Sequence, residues 1–386
     1  MSVSSVNYPR HAPFPVASIA IPLPQRVSTS TARGHRPDEG SRLGSIVRLH
    51  AAMARRRAVV LLFGAACVLI SLILDVATGP ALLPIRAVAG SVFGLTQDRT
   101  VDAIIWSIRL PTALVALVVG AALGLSGAIM QTILNNPLAS SYTLGVSAGA
   151  GFGAALVIVL GVMIPVPEAY AIPLMAFLFA CLACAGVYGI GSTRDSSPEM
   201  LLLAGIALLF LFQALLALLQ FVASPEALQQ IVFWLFGSLQ KASWSKFWII
   251  GAVLLVCVPF LVADAWRLTA LKLGDERARG LGVDVRRLRL RSFALISALT
   301  GVAVAFVGTI GFVGLVAPHI ARMLVGEDQR SFLPASALYG ALLLSVASIA
   351  SKTVLPGAIV PIGIVTSLVG VPFFVWLIMR NRRAFW

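Results

Sequence analysis

From residue 58 onward, apolar runs of membrane-spanning length alternate with short polar and basic stretches. A bilayer core of about 30 Å is crossed by about 20 apolar helical residues, so each run is read as a transmembrane helix. Ten spans are predicted, near residues 58–75, 112–134, 142–163, 169–190, 200–223, 247–264, 292–308, 310–325, 332–351 and 358–379. A membrane β-barrel would show short segments alternating with period two instead. The stretch 292–325 must hold two spans, because one 34-residue helix would be about 51 Å long. Arg286, Arg287, Arg289 and Arg291 precede it and Arg322 and Arg330 follow it. Both flanks belong on the cytoplasmic side, so an even number of crossings is expected, with a turn near Gly308–Gly311.

Composition agrees with this pattern. Hydrophobic residues make up 59% of 386 and charged residues 11%, and mean hydropathy is +0.95. The fold expected is therefore an all-α polytopic membrane protein. The net charge of +14 is no sign of nucleic-acid binding, because the basic residues gather at the ends and in a few inter-span loops, as orientation signals do. Arg55 to Arg57, Arg194, the 266–291 loop, Arg322, Arg330 and Arg380 all fall inside if both termini are cytoplasmic. Segments 76–111, 224–246 and 352–357 then lie outside. Residues 227–240 are too short to span and are expected on the outer surface or re-entering. Residues 1–54, rich in Ser, Pro and Arg, read as a disordered basic cytoplasmic extension, and 55–383 as the membrane domain.

Chemistry is sparse. No P-loop, metalloprotease or nucleophile-elbow pattern occurs. Cys67, Cys181, Cys184 and Cys257 lie inside apolar runs and read as packing residues. Glu168, Asp264 and Lys352 sit at predicted span ends, and only His319 looks deeper, as a satisfied helix-end residue rather than a ligand. An ion-driven carrier would place a purposeful charge near the midplane, so energy is expected to enter from outside the chain. The inlet is the loop 266–291, WRLTALKLGDERARGLGVDVRRLRLR, with eight Lys/Arg against three Asp/Glu. The glycines of LKLGDERARGLG (271–282) suggest a short broken helix, while Arg286 to Arg291 read as orientation charges. Small residues in 120–128 and 145–155 allow helices to approach closely in lipid.

Several stretches carry a more specific signal: IRLPTALVALVVGAALGLSGAIMQTILNNPLASSYTLGVSAGAGFGAAL (108–156), LGDERARGLGVDVRRLRLR (273–291), GTIGFVGLVAPHIARMLVGEDQR (308–330) and PIGIVTSLVGVPFFVW (361–376). Across about residues 58–383 the chain resembles the FecCD family, permease subunits of type II ABC importers for iron-siderophores, haem and vitamin B12. The resemblance implies ten spans per subunit and two permease subunits, identical or different. It also implies two separate ATPase subunits that use ATP and Mg, a periplasmic or surface solute-binding protein, and a bacterial inner-membrane location. The permease would bind no cofactor or metal itself and would not be an enzyme.

Carried over by position, Leu273, Gly274, Ala278, Gly280, Leu281 and Gly282 would form two short coupling helices that dock on the ATPase. The glycines would allow the bends, and Leu273, Ala278 and Leu281 would fill the docking cleft. Arg109 and Lys352 would receive acidic residues of the binding protein at the outer mouth. Asn135, Asn136 and Pro137 would form a helix end or gate. This chain departs from the family pattern at Thr112, where a second arginine is expected, and at Ser348 and Val360, where acids are common. The cargo expected is an iron-siderophore, with haem or B12 as alternatives. Readings of another class are an ion-coupled secondary transporter and a non-transporting membrane scaffold.

Overall fold

The computed structural model describes residues 39–80, 83–95, 98–161, 166–192, 197–355 and 357–380. In chain order the helices are α1 Glu39–Ala77, α2 Ile85–Val92, α3 Arg99–Ile104, a π-helical turn Ile105–Arg109, α4 Leu110–Ile133, α5 Val146–Leu160, α6 Glu168–Gly191 and α7 Pro198–Val222. They continue as α8 Pro225–Leu235, α9 Trp244–Leu271, α10 Asp275–Gly280, α11 Val285–Val307, α12 Val313–Val325, α13 Gln329–Thr353 and α14 Ile362–Arg380. Among the described residues there is no strand. Among the described residues seven helices are long and apolar enough to cross a bilayer, and three shorter apolar ones, Val146–Leu160, Val313–Val325 and Ile362–Trp376, complete the expected ten. The chain forms two units, Met1–His50 and Ala51–Trp386, and the site described below belongs to the second.

Polar side chains mark where the helices begin. Ser197 Oγ accepts from Met200 N at 3.3 Å, Ser224 Oγ from Ala227 N at 3.2 Å and Asp284 Oδ1 from Arg287 N at 3.0 Å. Each satisfies an amide that the helix leaves unbonded in its first turn. Gly308 (φ +77°) stops α11 and Phe312 (φ +66°) precedes α12, so the long 292–325 run breaks at the turn expected there.

In lipid, apolar side chains gain nothing by leaving hydrocarbon for one another, so association rests on close backbone packing. The buried helix α4 shows it. A Cβ on Gly120 would collide with the Gly340 carbonyl of α13, one on Gly124 with the Ser336 carbonyl, and one on Gly127 with the Gly314 carbonyl of α12. Gly149 and Gly153 of α5 meet the Phe179 and Met175 carbonyls of α6 in the same way. Large side chains such as Leu62, Phe210 and Leu255 point outward.

Some boundaries differ from expectation. Residues 39–54 are helical and belong to α1, because no glycine pair or proline interrupts the helix formers between Leu43 and the first span; residues 1–38 lie outside the described ones. The interruption at 266–291 is narrower than its charge suggests, since α9 runs to Leu271 and α11 starts at Val285. Charge at a helix end is compatible with helix wherever that end leaves the hydrocarbon.

Candidate functional site

The segment between α9 and α11 is built around two glycine bends. Gly274 (φ +98°) and Gly282 (φ +82°) adopt backbone conformations that residues with a Cβ rarely take. Between them lies α10. Gly282 N donates to Arg279 O at 2.9 Å and Val283 N to Ala278 O at 3.0 Å, which closes the helix. Gly280 differs: it keeps an ordinary φ with open space where a Cβ would stand, so the bend does not need it to be glycine. Only one short helix forms, because VDVRRLR runs directly into α11 rather than making a second.

The side chains of this segment divide into two faces. Leu273 is 54% exposed and Leu281 51%, and Arg277 and Arg279 are exposed beside them. Ala278 is 0% exposed, so it packs α10 onto the protein and does not enter an external cleft, contrary to its expected docking role. Arg289, read from sequence as an orientation charge, is instead buried. Its Nη1 and Nη2 donate to Asp275 Oδ2 and Oδ1 at 2.8 and 2.9 Å, a bidentate pair linking α11 to α10. Arg291 (3.3 Å) and Arg267 (2.7 Å) both pair with buried Asp264, two turns before the end of α9.

The Asn135 turn lies against this segment. Lys272 Nζ donates to Asn135 Oδ1 at 3.1 Å and sits 3.5 Å from Glu327 Oε1. Burial pushes the Lys272 ammonium below the ordinary lysine range, against the opposing pull of Glu327. Arg322 reaches the same Glu327 at 3.4 Å and donates to Gln131 Oε1 at 3.0 Å. Asn135 takes a positive φ of 43°, and Asn136 Oδ1 accepts from Leu138 N at 2.9 Å, an Asx-type turn with Pro137 at its centre. A cavity of about 300 Å³ separates Thr132 and Asn135 from Asp275 and Arg289. Glu327, Gln131 and the acid Asp275 were not singled out in the sequence, since their partners are distant along the chain.

At the opposite end, Arg109 and Lys352 line one cavity of about 210 Å³ with Ser348 and Ser351. Neither presents an open charge. Arg109 is 4% exposed, and its Nη1 donates to Val76 O and Ala77 O at 3.1 and 2.8 Å. It caps the last turn of α1, whose carbonyls have no helical partner. Lys352 Nζ lies 2.6 Å from Asp75 Oδ1, with the two side chains 8% and 0% exposed. Ser348 Oγ donates to the same carboxylate oxygen at 3.0 Å. Where an acid was expected at 348, Asp75 of α1 therefore stands in space. Sequence reading passed over Asp75 because it falls at the end of the first predicted span. Thr112 turns back on its own helix, donating to Ile108 O at 2.6 Å.

The re-entrant expectation for 227–240 corresponds to α8 and the turn after it. Gly363 N donates to Phe236 O at 2.9 Å, Ile362 N to Gly237 O at 3.2 Å and Ser238 N to Val307 O at 2.7 Å. Gly237, Gly308 and Gly363 meet there so tightly that a Cβ on any of them would strike a neighbouring carbonyl. Beside this junction opens a cavity of about 600 Å³, where Gln229, Gln230, Gln240 and Lys241 face Trp234 and Phe306. His319 sits inside α12 rather than at its end. Among the described residues no three His, Cys, Asp or Glu side chains converge as a metal site.

The sequence model of the FecCD transport family matches residues 67–380. The chain belongs to that family. Membrane transport, not catalysis, is therefore the work of this FecCD chain. It is 40% identical over 293 residues to the hemin transport system permease protein HmuU of Yersinia pestis, covering 75% of this chain and 88% of that one. It is 35% identical over 329 residues to the Fe(3+)-citrate import system permease protein YfmE of Bacillus subtilis, covering 85% and 97%. Its fold matches a metal-chelate type ABC transporter solved in an inward-facing conformation, with a TM-score of 0.73, 33% identity, and coverage of 83% of this chain and 98% of that one.

Proposed function

We propose that this FecCD chain is the permease subunit of an ATP-binding-cassette importer for chelated iron, an iron-siderophore first, with haem or vitamin B12 as the alternative cargo. A solute-binding protein delivers the chelate at the face of Arg109 and Lys352, and two ATPase subunits dock at the face of Leu273 and Leu281. Two copies of this chain, or this chain and a sister permease, enclose the path. The subunit lies in the bacterial inner membrane, with the basic 272–284 segment and both termini in the cytoplasm. The chain itself holds neither metal nor cofactor; ATP and Mg are used by its partners. Transport proceeds by alternating access, the glycine-packed helices re-packing as the docked ATPases close and open.

The observation that carries this reading is the exposed apolar pair that flanks α10. Leu273, just before the Gly274 bend, and Leu281, at the C-terminal end of α10, flank a short, glycine-bounded helix that carries arginines, a surface suited to a protein cleft rather than to water. The relatives that import hemin and ferric citrate support iron chelates as the cargo class. Because Asp75 and Lys352 neutralise each other, they supply no lone carboxylate for ion coupling. The test is uptake in proteoliposomes containing the permease, its ATPase and its binding protein, given ⁵⁵Fe-labelled ferric hydroxamate, ferric citrate, hemin or cyanocobalamin. ATP-dependent uptake of one of the iron compounds is expected. Uptake driven by a proton or sodium gradient without ATPase would overturn the importer reading.

A further inference from the structure

Two glycine bends of positive φ bound α10, at Gly274 and Gly282. A six-residue helix between two such bends would swing freely against both neighbours if only the apolar contacts of Ala278 and Val283 held it. The Arg289–Asp275 pair changes this. It spans the Gly282 bend, joining the first residue of α10 to the second turn of α11 through two parallel hydrogen bonds of 2.8 and 2.9 Å. The Arg289 side chain is 1% exposed and that of Asp275 27%. A planar guanidinium bonded at both prongs fixes orientation as well as distance. No comparable pair crosses the Gly274 bend among the described residues; Lys272 bonds away from α10, to Asn135.

We infer that Arg289 and Asp275 are positioning residues that lock α10 to α11, so that a push on the docking face turns both as one body about Gly274. This rests on the reading of 273–283 as the ATPase-docking element. Its consequence lies at the other end of α11. That helix has 23 residues, about 34 Å at 1.5 Å per residue. It ends at Val307, whose carbonyl accepts from Ser238 N at 2.7 Å, on the wall of the large outer cavity. The cavity between Asp275, Arg289 and Asn135 leaves room for the lower end to move toward α4. Force applied at the cytoplasmic face thus reaches the outer pocket through one rigid rod.

The experiment uses the permease purified with its ATPase subunits, with Cys67, Cys181, Cys184 and Cys257 replaced by serine or alanine. Spin labels are placed at Arg279 and Ala294, across the Gly282 bend, and in a second sample at Arg279 and Leu138, across the Gly274 side. ATP with vanadate is expected to shift the Arg279–Leu138 distance while leaving the Arg279–Ala294 distribution single and narrow. Asp275→Asn, which keeps size but removes charge, should broaden the Arg279–Ala294 distribution at least twofold, and Asp275→Glu should restore it. An unchanged width in Asp275→Asn, or an equal shift of both distances in the parent protein, overturns the lock and leaves the importer reading standing. A parent protein that retains no ATPase at all removes both.

Discussion

Replacing Lys352 by Met tests whether the outer-mouth cations are structural or a docking surface. In the structure Lys352 Nζ is 2.6 Å from Asp75 Oδ1, and the side chains are 8% and 0% exposed. Asp75 Oδ2 has no hydrogen-bond partner, so this carboxylate depends on Lys352 and on Ser348 Oγ at 3.0 Å. Methionine matches the volume of lysine but strands the carboxylate. Removing one member of a buried pair costs about 3–5 kcal/mol, whereas replacing both is close to neutral or stabilising. Lys352→Met should therefore destabilise by about 3–5 kcal/mol, two decades or more in the unfolding equilibrium. Asp75→Asn should cost a similar amount by stranding the ammonium. The double variant should return to within about 1 kcal/mol of the parent, since Asn still accepts from Ser348. SDS titration in mixed micelles, followed by circular dichroism, gives the double-mutant cycle. Single variants that each cost less than about 1 kcal/mol and add in the double would refute the argument. They would mean that Lys352 is solvated and free to meet a binding protein.

Three further outcomes follow from the same geometry. Arg109→Met should lose about 1–3 kcal/mol by leaving the Val76 and Ala77 carbonyls unbonded, and the same titration measures it; a change in binding-protein affinity with stability intact would instead favour a direct docking role. Gly127→Leu, forced against the Gly314 carbonyl, should cost at least the about 1–3 kcal/mol typical of overpacking and lower the folded yield on size-exclusion chromatography, while Gly280→Ala, with open space around it, should leave the yield unchanged. Leu281→Asp, on an exposed side chain, should leave melting unaltered yet reduce the co-purified ATPase at least tenfold. Equal recovery of the ATPase would move the docking face elsewhere.

The spans could be read from the chain because hydrocarbon imposes a length and a polarity that each segment must meet alone. Even the division of 292–325 followed from length and flanking charge, and the break fell at Gly308–Phe312. Charged residues were harder. Arg286 to Arg291 look alike in sequence, yet Arg289 is a buried bidentate partner while Arg287 pairs with Asp284 at the surface. The difference lies in which side of α11 faces α10, and Asp275 is fourteen residues away, beyond any local helical spacing. Arg109 and Lys352 were expected to meet a binding protein because the family resemblance places docking cations at those positions. Their burial depends on α1, whose terminal carbonyls and Asp75 come to them from more than thirty residues away.

Residue types alone determined the membrane class, the ten apolar helices and the glycine-bounded segment between α9 and α11. Tertiary structure alone decided which glycines were needed for close approach, which leucines on the coupling segment remain open, and which ions are paired. The reason is physical. The cost of exposing an apolar helix to water, or a charge to lipid, is set by the residue and its medium. Whether a cation is free or satisfied is set by a partner within about 3 Å, and α1, α10, α11 and α13 bring such partners together only once they have packed.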